Sequence, residues 1–244
     1  MKLLTTSAVL TLLTLTAVTA SEGPAVLEYD VITVKRKLLL ETPGGEREMQ
    51  VGDHAKSGDV LRTGSRSRAE LAVIEYSAKF VVSSKTSFRL AHEQPGVLLE
   101  IERGSVRAIF GKLPEGDTRE RLISTPSAVL AVRGTDYGVE VEKDGDTSVT
   151  VFEGTVEVWD IGGIGQRTLV QAGWSARIKR GKTPSTPRPH GINSHDWDQG
   201  RRGGGRSMGM GGSQQSQGMG TGSQSRGAGA QSSSSQGGSK RHGG

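Results

Sequence analysis

Between Val26 and Ile178 apolar residues recur at every second position rather than at helical spacing, which is the period of strands with one face turned to a core. Ile32, Val34, Leu38 and Leu40 share one parity, interrupted at Arg36, and Leu71 pairs in parity with Val73. Val97, Leu99 and Ile101 are followed in the same way by Val106, Ala108 and Phe110. Val139-Glu140-Val141-Glu142 alternates apolar with acidic residues. Val149 and Val151 are placed to pair back on it across Lys143-Asp144-Gly145-Asp146, a hairpin turn by composition. Val156, Val158 and Ile161 continue the pattern.

Glycine and proline punctuate these runs at Pro43-Gly44-Gly45, Gly52, Gly58, Gly64, Pro95-Gly96, Gly104, Pro114, Gly116 and Pro126. Many short strands at such spacing predict an all-β fold, a layered β-sandwich or β-roll. No amphipathic helix is expected in this region; residues 65–70 have room for a single turn. Glu100-Ile101-Glu102-Arg103-Gly104-Ser105-Val106 echoes Val151-Phe152-Glu153-Gly154-Thr155-Val156-Glu157. Each is a strand, a glycine kink and a second strand, which suggests similar corners stacked in a layered structure, although chance similarity between β corners explains it as well.

The two ends of the chain have a different character. Lys2 precedes an apolar stretch from Leu3 to Val18, and Val18-Thr19-Ala20 fits a small-residue cleavage site. Residues 1–20 therefore read as a signal peptide cut after Ala20. The alternative is a retained anchor, but the stretch is short for a span and thick with threonine. Export to the bacterial periplasm or beyond is expected, with no stable membrane insertion after cleavage. The chain has no cysteine, which excludes disulfides, thiolate metal sites, thiol nucleophiles and an N-terminal lipid anchor on cysteine.

Pro184, Pro187 and Pro189 mark the exit from the β region. After Trp197 there is no aromatic or branched aliphatic residue, and Gly, Ser, Gln, Arg and Met dominate to Gly244. Such a segment has too little apolar area to offset its chain entropy and is expected to be disordered. The expected layout is a signal peptide at 1–20, a β domain at 24–180, a Pro/His-containing linker at 181–199 and a disordered Gly/Ser/Gln/Arg-rich tail at 200–244. The formal net charge is +5, and cations beyond Gly200, unaccompanied by acids, supply all of it. The folded part is nearly neutral. Arg201, Arg202 and Arg206 in the tail resemble flexible arginine-glycine segments that contact polyanions, although a spacer or solubilising tail has the same composition.

The segments that read as strands also carry a family resemblance. Gly58-Asp59-Val60-Leu61-Arg62-Thr63-Gly64, with Ala69-Glu70-Leu71 after it, resembles the opening of the FecR domain, the ferric-citrate regulator family. Ser124-Thr125-Pro126-Ser127-Ala128-Val129-Leu130-Ala131-Val132-Arg133-Gly134-Thr135 resembles that family's most recognisable block. Val139-Glu140-Val141, Phe152-Glu153-Gly154-Thr155-Val156 and Gln171-Ala172-Gly173 follow in family order, so the match runs from about Val51 to Ala176. The resemblance implies an exported β-rich domain without catalytic activity and without a cofactor. In the well-studied branch such domains relay transporter occupancy from the periplasm, behind a cytoplasmic anti-sigma segment and a membrane span. This chain shows a signal sequence in that place and is more similar to the free-standing exported members.

Within these motifs Arg62, Arg133, Thr135 and Asp136 are the candidate binding or structural residues. Arg62 has room to lie along apolar surface or to pair with an acid such as Glu70. Arg133 reads in two ways. One is a guanidinium fork presented to a carboxylate or phosphate; the other, favoured, is an arginine locked by internal hydrogen bonds at a strand crossing. Asp136 lies near it in sequence, but strand neighbours point to opposite faces. Tyr29, Tyr76, Tyr137, Trp159 and Trp174 are scattered and suit core packing as well as a ligand platform. Asp144-Gly145-Asp146 lacks the further oxygens of a calcium loop. His190, His195, Asp196 and Asp198 sit in the connector, without a framework to fix a metal. No hydrolase elbow, zinc helix or phosphate loop is found. The expectation is an exported, non-enzymatic module that senses or binds an envelope protein or glycan; the alternative is a self-associating matrix or surface component.

Overall fold

The computed structural model describes residues 26–90, 94–112, 114–163 and 165–200; the expected signal peptide and the tail residues Arg201, Arg202 and Arg206 lie outside them. The period-two pattern resolves into two sheets sharing one apolar core. The first runs in the order β4 (His54–Lys56), β1 (Glu28–Lys35), β6 (Arg68–Val73), β7 (Ala78–Val82), the second half of β9 (Val97–Phe110), β12 (Asp136–Val141), β13 (Thr147–Glu153), β16 (Trp174–Ile178) and β17 (Arg188–Pro189). The second runs β3 (Gly45–Met49), β2 (Leu38–Thr42), β5 (Val60–Thr63), β8 (Ser87–Leu90), the first half of β9, β10 (Leu122–Ser124), β11 (Ala128–Val132), β14 (Thr155–Asp160) and β15 (Thr168–Gln171). All pairings are antiparallel except β9 with β10. This is the expected all-β layered architecture, with β9 as the strand common to both layers.

The inward residues are those the alternation marks: Leu71, Val73, Val106, Ala108, Val139, Val149, Val151, Val156 and Val158 are all buried. Phe80 meets Phe110 edge-on at 5.9 Å, and Phe110 stacks on Tyr137 at 6.2 Å. Tyr29, on the first sheet, donates its hydroxyl to the Leu98 carbonyl of the second at 2.5 Å, a polar tie through an apolar interior. The parity expected for β1 is corrected. Tyr29 and Val31 face the core, whereas Ile32 is 45% exposed. A bulge between Val31 and Thr33 and the left-handed turn at Arg36 (φ 72°) reset the phase before Leu38 and Leu40, which are buried. Ile161, expected to extend β14 inward, is exposed beyond its end.

The chain passes between sheets at corners, and these explain the Thr-Gly and Ser-rich motifs. Thr63 ends β5 and accepts a bond from the Thr86 amide at 3.0 Å through its hydroxyl, while donating to the Ser83 carbonyl at 2.5 Å. Thr86 in turn accepts from the Ser105 amide at 3.0 Å. Ser67 accepts from the Lys37 amide at 3.2 Å. Buried hydroxyls thus satisfy backbone groups that leave one ladder before joining the next. The Ser124–Ser127 motif works in the same way. Ser127 donates to Thr147 at 2.7 Å and Thr147 to Thr125 at 2.8 Å, all three buried.

The sequence echo has a structural counterpart. β9 changes sheet at Gly104, and the chain passes from β13 to β14 at Gly154, again changing sheet. Their φ values are 102° and 80°. A Cβ at Gly104 would lie 2.6 Å from the Thr86 Cα, and one at Gly154 would lie 2.8 Å from the Gly134 carbonyl oxygen. Both corners therefore need glycine for backbone conformation and for space. Gly104→Ala is expected to cost about 2–4 kcal/mol from strain and overpacking together. A fall in the urea midpoint at unchanged slope will report it, and a midpoint equal to wild type would contradict this account.

Residues 181–199, the expected linker, return along the first sheet. β17 pairs with β16, the His190 ring meets the Val151 carbonyl at 2.9 Å, and Asn193 caps a short helix, α1 (Ser194–Asp198), by accepting from the Asp196 amide at 2.8 Å. Trp197 on α1 is 2% exposed and its indole covers Gly138 of β12, where a Cβ would have no room. Among the described residues no helix is long and apolar enough to cross a membrane.

Candidate functional site

The four candidate residues do not form one site. Arg62, on β5, is exposed and pairs across the neighbouring strands with Glu46, not with Glu70, whose nearest guanidinium is Arg68 at 4.0 Å. Arg133, Thr135 and Asp136 belong to the corner between β11 and β12, but each takes a different direction. Thr135 is buried, and its carbonyl accepts from the Phe110 amide at 2.8 Å. Asp136 turns to β9, where Arg107 grips it with Nε at 2.8 Å and Nη2 at 2.6 Å. The third limb of Arg107, Nη1, donates to Asp198 of α1 at 2.8 Å, and Arg68 reaches the same carboxylate at 3.0 Å. The hydrogen bond to Asp136, with both carboxylates nearby, raises the Arg107 pKa against the opposing effect of burial. The internal arginine lock expected at Arg133 is thus performed by Arg107.

Arg133 itself is exposed, and among the described residues no hydrogen bond or ion pair reaches its guanidinium. It stands at the rim of a recess of about 280 Å³ lined also by Lys112, Asp117, Arg119, Arg121 and Gly134. Lys112 follows β9, Arg121 directly precedes β10, and Arg133 follows β11, so three strand ends converge there. Arg119 lies over the Tyr76 ring at 4.7 Å and is held by Asp117 at 2.6 Å. Arg121 is 3% exposed, with its guanidinium 5.3 Å from the Phe110 ring centroid and Nη1 donating to the Gly111 carbonyl at 2.7 Å. Sequence reasoning singled out only Arg133 of this group. The available signal was the cluster of charges at 112–121 directly ahead of the Ser124–Thr135 block.

Hydrogen bonds from the Arg119 side chain and amide hold the Asp117 carboxyl at about 2. A carboxyl lowered on folding contributes stability that is complete above its unfolded value of about 3.9 and disappears as pH falls through the folded one. The clasp is therefore expected to persist until pH falls towards 2. A carbon-detected NMR titration of Asp117 should give a midpoint near 2, returning to about 4 in Arg119→Gln; a wild-type midpoint near 4 would show that the clasp is open in solution.

The other candidates are occupied elsewhere. Tyr29 and Tyr137 are core residues; Trp159 lies against Arg167 at 4.3 Å, and Trp174 is 40% exposed on β16, in register with Pro189 of β17. Asp144-Gly145-Asp146 forms the β12–β13 hairpin turn, with the Asp146 amide on Asp144 at 3.1 Å. Asp198 is engaged by two arginines and His190 by a backbone carbonyl.

Comparison with known proteins adds the family. The model of the FecR protein family matches residues 59–157. Two crystal structures of a candidate anti-sigma factor from Parabacteroides distasonis ATCC 8503 are similar to this chain, each at 16% identity and a TM-score of 0.44. The similarity covers 54% of this chain and 59% of that one, so the chain spans less than two thirds of the neighbour's length. The matched interval contains Arg62, the sheet-crossing strand β9, the recess and the Arg133 corner. Residues 59–157 are therefore a FecR-family domain.

Proposed function

We propose that this chain is an exported, non-enzymatic FecR-domain module of the bacterial envelope, periplasmic or extracellular, which binds an envelope protein or glycan and serves a sensory or regulatory role. The observation that carries the reading is Arg133. It belongs to the most recognisable block of the FecR-like sequence, yet it is exposed without an internal partner beside a cationic recess. A guanidinium held in that position by a rigid corner is suited to recognition rather than to packing. The basic tail, with Arg201, Arg202 and Arg206, would add reach and weak affinity for polyanions. Cell fractionation followed by crosslinking from a probe beside Arg133 tests the proposal. Export and a crosslinked envelope partner are expected; intact protein found only in the cytoplasm would reject it.

A second reading, self-association into a surface or matrix component, is favoured by the edge of the second sheet. β15 pairs with β14 alone among the described strands, and its Leu169 is 61% exposed. An uncovered edge with an apolar side chain invites strand addition by another copy. Sedimentation at rising concentration distinguishes the two: a mass that grows, and is returned to that of one chain by Leu169→Lys, supports assembly, whereas a single-chain mass throughout excludes it.

A further inference from the structure

We propose that the recess between Lys112, Arg121 and Arg133 is a binding site for a phosphoryl oxyanion, either free or carried on a lipid headgroup. The inference goes beyond the envelope protein or glycan proposed above; it concerns the same Arg133 recess and rests on the exported location for its meaning in the cell. Its physical basis lies in the charge balance of the recess. Arg119 and Asp117 satisfy one another. Lys112, Arg121 and Arg133 remain, and none of them takes part in an ion pair among the described residues. Among the described residues, three cations thus line one small space without an ion pair, and the one acid in the lining, Asp117, is engaged by Arg119.

A cationic rim is ordinarily a solvated surface, and that would account for Lys112 and Arg133, which are both exposed. It does not account for Arg121. This side chain is 3% exposed, has a carbonyl rather than a carboxylate as its partner, and keeps a buried Nε with no hydrogen-bond partner. Burying a guanidinium is unfavourable unless an opposite charge is close. Burial lowers the Arg121 pKa, and Arg119 and Arg133 push the same way against Asp117. An anion in the recess would relieve both effects, with Arg121 supplying its field from the floor.

The rim is arranged to complete the site. A Cβ placed at Gly134 would lie 3.7 Å from the Lys112 Cγ, so the Lys112 stem rests against the corner that carries Arg133, and both residues line the recess. Their heads can close on a ligand from two directions while the corner stays fixed. A volume of about 280 Å³ accepts a phosphoryl group and a few attached atoms, below the range usual for a whole drug-sized ligand. Three unbalanced cations suit a group with nearly two negative charges and several acceptor oxygens better than a single carboxylate.

The test uses the full chain, so that the basic tail is the same in every sample. Inorganic phosphate is titrated by calorimetry, and vesicles containing phosphatidic acid are compared with vesicles of phosphatidylcholine alone. Saturable binding is expected in at least one arm, weakened about tenfold or more by Arg133→Gln and by Lys112→Gln. Arg167→Gln, which removes an equal charge elsewhere on the surface, should bind as wild type. Binding in the phosphate arm identifies a free phosphoryl ligand; Arg133-dependent binding to phosphatidic acid alone identifies a lipid headgroup. Both exchanged rim residues are exposed, so these variants are expected to fold as wild type. If neither ligand binds, or if Arg133→Gln and Lys112→Gln bind as tightly as wild type, the site does not exist. Fractionation of cells answers the separate question of location, so the two readings fail independently.

Discussion

Gly138→Ala will drive Trp197 from its seat and free α1 from the sheet. The indole occupies the space where the new methyl group would stand, and β12 cannot retreat because it is paired on both sides, with β9 and β13. Either the strand shifts at an overpacking cost of about 1–3 kcal/mol or the tryptophan leaves, which removes contacts worth about 3–5 kcal/mol in a core. The second outcome is expected, because 181–199 follows the last long strand and can detach while both sheets persist. The net loss should then be about 2–4 kcal/mol, limited to the free energy with which this segment docks. Fluorescence can follow it directly. Of the three tryptophans, Trp159 and Trp174 are partly or largely exposed and Trp197 alone is buried. Emission should shift to the red and new proteolytic cuts should appear within 181–199. Unchanged emission and an unchanged cleavage pattern would contradict the docking described above.

Arg107→Ala is expected to destabilise the chain by about 3 kcal/mol, because it strands two partly buried carboxylates at once. Asp136 loses both of its hydrogen bonds from Arg107, and Asp198 retains only Arg68. The pair is 17% and 16% exposed, so water screens it incompletely. Arg107 also lies 5.9 Å from the Phe152 ring, whose other neighbours are His190 and Trp197. Removing the arginine therefore loosens the returning segment as well. Combining Arg107→Ala with Asp136→Asn should cost less than the sum of the two, since the second change removes the charge that the first leaves without a partner. Urea denaturation of the single and double variants measures this; strict additivity would mean that the two groups do not interact in solution.

Arg107 also bears on the recess, through the corner that carries Arg133. The corner from Arg133 to Asp136 has two sides. Asp136 lies on the face of the first sheet that α1 covers and is fixed there by Arg107, while Arg133, three residues earlier, lines the rim of the recess. A rigid support behind an exposed guanidinium lowers the ordering cost of binding. Damage to Arg107 should therefore weaken any ligand at Arg133, though less than removal of Arg133.

Some features were legible in the residues alone. Alternation over two positions is a local property, so the strands around Leu71, Val106, Val139, Val149 and Val156 could be read directly, as could the Asp144–Asp146 turn and the glycine-centred echo. The failures are equally local in cause. The buried parity of β1 was missed because a bulge after Val31 and a left-handed residue at Arg36 shift the phase, and neither leaves a mark in hydrophobicity. The α1 cap, Asn193 with Asp196, was present in the sequence, but five residues are too few to give a helical period.

By itself, the sequence determined that the chain makes many short strands with glycine corners, that it carries the FecR-like blocks in order, and that its positive charge is concentrated beyond the domain. Tertiary structure alone decided which charges meet. Arg107 finds Asp198 across 91 residues and Arg68 reaches the backbone of the same residue across 130, whereas Arg121 makes no ion pair among the described residues and donates instead to the Gly111 carbonyl. The physical reason is that backbone preference and burial act between near neighbours, whereas charge pairing depends on which distant strands the sheets bring together.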